Sequence, residues 1–410
     1  IDVNIKDIKG ESILSLAMNQ LGYRESDGNK EVETIISTLL SKKSTDVNIE
    51  DSDGETPIMI ATRKENISVY RTLSIMKEID LNHLNKMGQN LMHLASKINN
   101  VELQKEIINN DKIEINLKDK NQKTPLHYAI QNEKESFLKE LISKNRTDIN
   151  IKDGDNNTPL MITIKTRKES YSLLLINHPK IDIVQRDSKN NNYLHIACEN
   201  SGIVTSLISK GVDINAKNDD GNTPLHIAIM RNDSKAVSCI LKCGKVVSIN
   251  ERNEKGFTPL HIACDNHSYR SDGMIINQLL SYRGIDVNLQ DFKGRSPIII
   301  AQENHNSSIV ESLIKDGRTN LNVKDKEGRS LLSLSYSNSS IFSMLVHRTD
   351  IDINTVDDSG YTPLHISVAR KDTDLVSYIV YSRRGSIPID AKTKSGLSFM
   401  HLAAKQKSIL

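Results

Sequence analysis

The chain has 410 residues, with 54 basic and 52 acidic side chains, 37% hydrophobic and only 4% aromatic content, and no tryptophan. A formal charge of +2 argues against the dense basic face that nucleic acid requires. No run of 18 apolar residues is present to span a membrane, and four cysteines in such a length point to a reducing compartment.

Taken in order, the chain opens on Asp2-Val3-Asn4, an extended piece, and reaches Ser12, a helix N-cap ahead of an apolar stripe. A polar insert, Gly22 to Lys30, then separates the two helices expected of this first segment. The cap slot returns at Thr56, Asn90, Thr124, Thr158, Asn192, Thr223, Thr258, Ser296, Ser330, Thr362 and Ser398, a period of about 33 to 35 residues. Composition follows the same period. Seven of the nine prolines occupy the position after the cap, and seven of the twelve histidines the position three after it. Proline is tolerated there because the first helical residue has no N–H to lose.

Gly211 to Gly244 shows the repeat most completely. Asp219-Asp220-Gly221 is a turn, with Gly221 able to take a positive φ. Thr223 caps and Pro224 starts a short helix whose Leu225, Ala228 and Ile229 form one buried stripe. Ala236, Val237, Ile240 and Leu241 give a second stripe, and Gly244 ends that helix. Elsewhere the turn glycine is replaced by Gln122, Asn156 and Asn190; glutamine tolerates a positive φ poorly, so the fourth turn is expected to be distorted. Met161 and Ser333 replace the histidine, and Thr163 and Ser335 the small alanine, so the fifth and tenth repeats should pack less well. A smaller insert, Ser268 to Gly273, falls in the same place as the first. Both inserts read first as tolerated drift and second as a partner site. From Leu397 only a first helix remains. With a repeat already under way at Ile1 and no polar capping repeat at either end, the chain is expected to be cut from something longer, the array continuing or joining another domain beyond Leu410.

The motif Gly-x-Thr-Pro-Leu-His-x-Ala, as in Gly221 to Ala228, resembles the ankyrin-repeat family, and the likeness covers all 410 residues in twelve repeats, the last incomplete. The resemblance implies an all-α fold. Stacked helix-turn-helix repeats with β-turn fingers would form one solenoid domain over 1–410. It further implies a non-enzymatic scaffold, a cytoplasmic monomer that binds a partner protein through its concave face of finger tips and first helices. An alternative is the recruiting arm of a larger enzyme or effector whose catalytic domain lies elsewhere. Ile8, Met87, Phe257, Phe292, Tyr361 and Leu397 put apolar side chains at finger tips. The expected patch spans repeats seven to nine and comprises Phe257, Phe292, Lys255, Lys293, Arg295, Met230, Arg231, Asp265 and Asn266, with Tyr361 beyond; aromatics and arginine are the usual anchors of interfaces. The rival reading is that the two phenylalanines pack on the neighbouring finger.

Catalytic, cofactor and metal chemistry find no support. The motif histidines lie about 10 Å apart along a stack, too far for shared coordination. Cys239 and Cys243 have a chelating spacing but no third and fourth ligand, while Cys198 and Cys264 read as core. No nucleophile elbow, phosphate loop or His-Glu-x-x-His occurs. Asp51, Asp53, Asp219, Asp220, Asp357 and Asp358 read as solvated turn formers, and Asp51 to Glu55 is too short for a calcium loop.

Overall fold

Helix follows helix through the whole computed structural model, which describes residues 2–22, 29–265, 273–382 and 389–405. Among these residues there is no strand, only isolated bridges between Lys6 and Ser12 and between Lys324 and Ser330. Both inserts and Asn266 lie outside the described residues, apart from the edges of the inserts.

The chain divides into two compact units, Ile1–Lys189 and Asn190–Leu410. The first holds the pairs Ile13–Gln20 with Asn29–Leu40, Pro57–Arg63 with Ile67–Ser74, Leu91–Ala95 with Val101–Asn109, Pro125–Gln131 with Glu135–Ser143, and Pro159–Lys165 with Glu169–Ile176. In the second, Tyr193–Ala197 pairs with Ser201–Lys210, Pro224–Met230 with Ser234–Leu241, and Pro259–Asp265 with Met274–Ser281; Pro297–Glu303 with Ser307–Asp316, Leu331–Leu334 with Ser339–Val346, and Pro363–Ala369 with Thr373–Ser382 follow, and Phe399–Lys405 comes last. Helices this short are unstable alone and hold only by packing. In the Pro224–Met230 pair, Leu225, Ala228, Ile229, Ala236, Val237 and Ile240 are all buried. Burying one such leucine contributes about 2 kcal/mol.

The finger between repeats is organised by a buried side chain, not by a solvated one. Asp51 Oδ1 accepts the N–H groups of Asp53 and Glu55 at 2.9 and 2.8 Å, and Asn218 Oδ1 does the same for Asp220 and Asn222 at 3.1 and 2.9 Å. Asp51 is therefore buried while Asp53, Asp219 and Asp220 are exposed, which corrects its reading as a surface turn former. The fourth finger is also undistorted. Gln122 takes φ 58° and keeps the backbone bonds of the glycine fingers, donating to Asp119 O at 2.8 Å while Asp119 donates to Lys123 O at 2.9 Å. The strain stays local, so Gln122→Gly should raise stability by about 1 kcal/mol, read as a higher urea midpoint. An unchanged or lower midpoint would contradict this account.

Met161 and Thr163 are fully buried in a complete helix, so the fifth repeat packs as well as its neighbours. The tenth does not: its first helix stops at Leu334 and continues as a 3-10 turn, Ser335–Ser337. There Ser333 stands in for histidine, its hydroxyl meeting the Ser330 N–H at 3.0 Å.

Adjacent repeats are tied by asparagine. Asn82 Nδ2 donates to Lys112 O at 2.8 Å and its Oδ1 accepts from Glu114 N at 2.7 Å; Asn215 bonds Val246 O and Ser248 N at 2.9 and 2.8 Å in the same way. Arg146 adds a second tie, giving its guanidinium to the carbonyls of Ile108, Asn110 and Ile113 at 2.9, 3.0 and 2.6 Å. It thereby satisfies orphan acceptors at the end of Val101–Asn109.

Candidate functional site

Fingers and the ends of the first helices together make an inner face in each unit. Its framework is a ladder of side chains eight residues apart. The residue after the finger turn reaches the last residue of the following helix: Glu55 to Arg63 at 2.7 Å, Lys123 to Gln131 at 3.2 Å, Asn157 to Lys165 at 2.5 Å, Arg295 to Glu303 at 3.0 Å.

In the second unit this ladder decides what the predicted patch can offer. Phe257 follows Gly256 and is half-buried, its ring stacked on His261 at 5.8 Å with the Arg295 guanidinium 5.7 Å from its centroid. Arg295 is not available as a free anchor. It pairs with Asp291 at 2.8 Å and with Glu303, and Glu303 also holds Arg329 at 2.6 Å. Phe292, two residues before its finger glycine, points the other way and is 58% exposed. One face of its ring rests on Gly256, where an added Cβ would lie 2.9 Å from the ring; lysine stems fill the same place over Gly54, Gly88 and Gly294. Packing on the neighbouring finger and exposure thus coexist.

Lys255 and Lys293 are exposed beside these rings. Met230 is 43% exposed at the end of Pro224–Met230, and Arg231 next to it reaches back to Ile196 O at 3.3 Å and Glu199 at 3.7 Å. Asp265 is half-buried and accepts from Asn304 Nδ2 at 3.3 Å. Tyr361 stands instead against His365 of its own repeat, with ring centroids 5.9 Å apart. Of the six apolar tip residues, Ile8, Met87 and Phe292 are exposed, while Phe257, Tyr361 and Leu397 are half-buried, the first two with their rings against the helix histidine.

The motif histidines hold the structure. The Thr223 hydroxyl meets His226 Nδ1 at 2.8 Å, and Nε2 meets Phe257 O of the next finger at 3.1 Å; His261 does the same with Thr258 and Arg295 O at 2.8 and 3.1 Å. A threonine hydroxyl on Nδ1 and a carbonyl on Nε2 specify the neutral tautomer protonated at Nε2. Burial pushes His93, His127, His226 and His261 down to about 4. Cys198 and Cys264 are buried core residues, and burial raises the Cys198 thiol to about 12. No group of three or more metal-ligating side chains occurs among the described residues.

The repeating finger, the Thr-His cap and the paired helices define a class that the comparisons with known proteins name. A family model of ankyrin repeats in three copies matches residues 72–153, 131–218, 194–291 and 268–357, and the single ankyrin-repeat model matches 359–394. The chain belongs to the ankyrin-repeat family. Among curated relatives, Rabankyrin-5 of Mus musculus is 24% identical over 231 residues, covering 52% of this chain, and Rabankyrin-5 of Homo sapiens is 28% identical over 193 residues, covering 43%. This chain spans only 16% of the length of either. A putative ankyrin repeat protein of fowlpox virus (strain NVSL) is 26% identical over 155 residues, 38% of this chain and 34% of its own length. The ankyrin repeat domain of Bcl-3 is similar over 52% of this chain and 95% of that one, at 24% identity and a TM-score of 0.47. No described helix is long and apolar enough to cross a membrane.

Proposed function

We propose that the chain is a non-enzymatic interaction module that binds a partner protein through the inner face of its second unit, around Phe257 and Phe292. The observation that carries this reading is the setting of the two rings. Phe292 is exposed yet seated on Gly256, and Phe257 is held between His261 and an arginine already neutralised by two carboxylates. Rings fixed before binding lose little entropy on association. Lys255, Lys293, Met230 and Arg231 surround them as a mixed rim, with Asp265 and Tyr361 at its edges. The motif histidines are buried and engaged in the framework, which supports a binding role over a catalytic one. The module acts as a monomer without cofactor, nucleic acid or membrane insertion; its free cysteines suit the reducing cytoplasm.

The test is affinity capture from lysate with wild-type chain beside Phe257→Ala/Phe292→Ala, with bound proteins identified by mass spectrometry. A partner held by wild type should be lost by the variant at unchanged helical content. Equal capture by both would remove the patch.

A further inference from the structure

On the inner face of the first unit the ladder changes character at two consecutive rungs. One rung before them, Glu55 and Arg63 neutralise each other at 2.7 Å; one rung after, Lys165 lies 3.4 Å from Asp187. Between these, the Lys97 ammonium donates to Gln89 Oε1 at 2.7 Å and the Lys123 ammonium to Gln131 Oε1 at 3.2 Å, both neutral amides. The two cations share one ring: Lys97 Nζ is 4.8 Å and Lys123 Nζ 5.9 Å from the centroid of Tyr128.

The carboxylates nearby are taken. Asp119 accepts the Tyr128 hydroxyl at 2.5 Å, Gln89 Nε2 at 3.3 Å, and the N–H groups of Asn121 and Lys123 at 2.9 Å, while Glu55 is held by Arg63. Among the described residues neither lysine has a carboxylate within ion-pair distance. Burial holds the Lys97 ammonium below its ordinary pKa, against the raising pull of Asp119 and Glu55. An incoming negative charge would relieve that penalty.

The surroundings narrow the partner. Met87, 51% exposed, sits between Lys86 and Lys120, and the two fingers are stitched by Lys120 N to Met87 O at 3.0 Å. Exposed Asp53 and Asp155 at the fingers on either side interrupt the basic surface in both directions. A long polyanion would meet both repulsive ends; a short acidic stretch would meet neither. We infer that Lys97, Lys123 and Tyr128 form a second binding subsite, which takes aspartate or glutamate side chains from a short acidic segment of a partner protein. It rests on the reading of the inner face as protein-binding, but not on the Phe257 and Phe292 patch.

The probe is a short fluorescein-labelled oligoglutamate peptide, titrated with the full chain and followed by anisotropy. The wild type should saturate. Lys97→Gln/Lys123→Gln should weaken binding about tenfold or more, and Lys235→Gln/Lys242→Gln, exposed lysines equal in lost charge but in the other unit and outside both proposed sites, should leave it within about twofold. Circular dichroism melts report whether each variant folds. Absence of saturable binding to the wild type, or equal weakening by the two double variants, overturns the site. Failure of the peptide to bind, with partner capture still lost in the phenylalanine variant, removes this subsite and leaves the proposed function standing. The opposite pair of results removes the phenylalanine patch alone.

Discussion

Between pH 6.5 and 4.5 the chain should lose most of its stability. His93, His127, His226 and His261 sit at about 4 in the fold because burial disfavours the imidazolium, while the unfolded chain holds them near 6.5. The unfolded state therefore takes up protons first. Stability is complete above about pH 6.5 and falls as the pH drops toward the folded value. At pH 5 the loss is on the order of 2 kcal/mol per histidine, and the four act in both units. Above about pH 5 this window lies clear of most carboxylate titration, so urea midpoints measured at pH 7, 6 and 5 separate the two causes. A midpoint that stays level down to pH 5 would contradict the histidine assignment.

Gly221→Val should be the most damaging single change at a finger. The residue has φ +71°, and an added Cβ would stand 2.8 Å from Glu254 N and 3.1 Å from Asn253 Cα. Those atoms are backbone, and Glu254 N is bonded to Asp220 O at 3.0 Å, so they have little room to move. Strain in the left-handed region and overpacking together should cost about 3 to 5 kcal/mol. Gly328→Ala is the control. It shares the positive φ, at +80°, but has nothing within 4 Å, and should cost only about 1 kcal/mol. Urea midpoints for the two variants give the comparison, and equal losses would show that crowding across the fingers contributes nothing.

Much of the fold was legible because its signals combine identity with spacing. Thr223, Pro224 and His226 each have one physical reason to stand where they do, and the structure uses each for that reason or a close one. The inner-face ladder was not legible. Its rungs use Glu55 with Arg63, Gln89 with Lys97, Lys123 with Gln131 and Arg295 with Glu303, so only the interval repeats. Buried Asp51 escaped notice because aspartate is ordinarily a surface residue, and only its two accepted N–H groups account for its burial. For the patch, composition pointed to scarce aromatics but could not give direction. Phe257 follows a finger glycine and turns to the helix, while Phe292 precedes one and turns outward. Arg295 looked like an anchor for a partner and proved to be an internal brace.

The asparagine ties make the array modular. Asn82 and Asn215 each grip only main-chain atoms of the next repeat, one carbonyl and one N–H, and so read nothing of its side chains. A joint of that kind accepts any successor that presents the same backbone. Repeats can be duplicated, dropped or exchanged without redesigning what lies beside them, and the residues facing outward are left to diversify at their own pace.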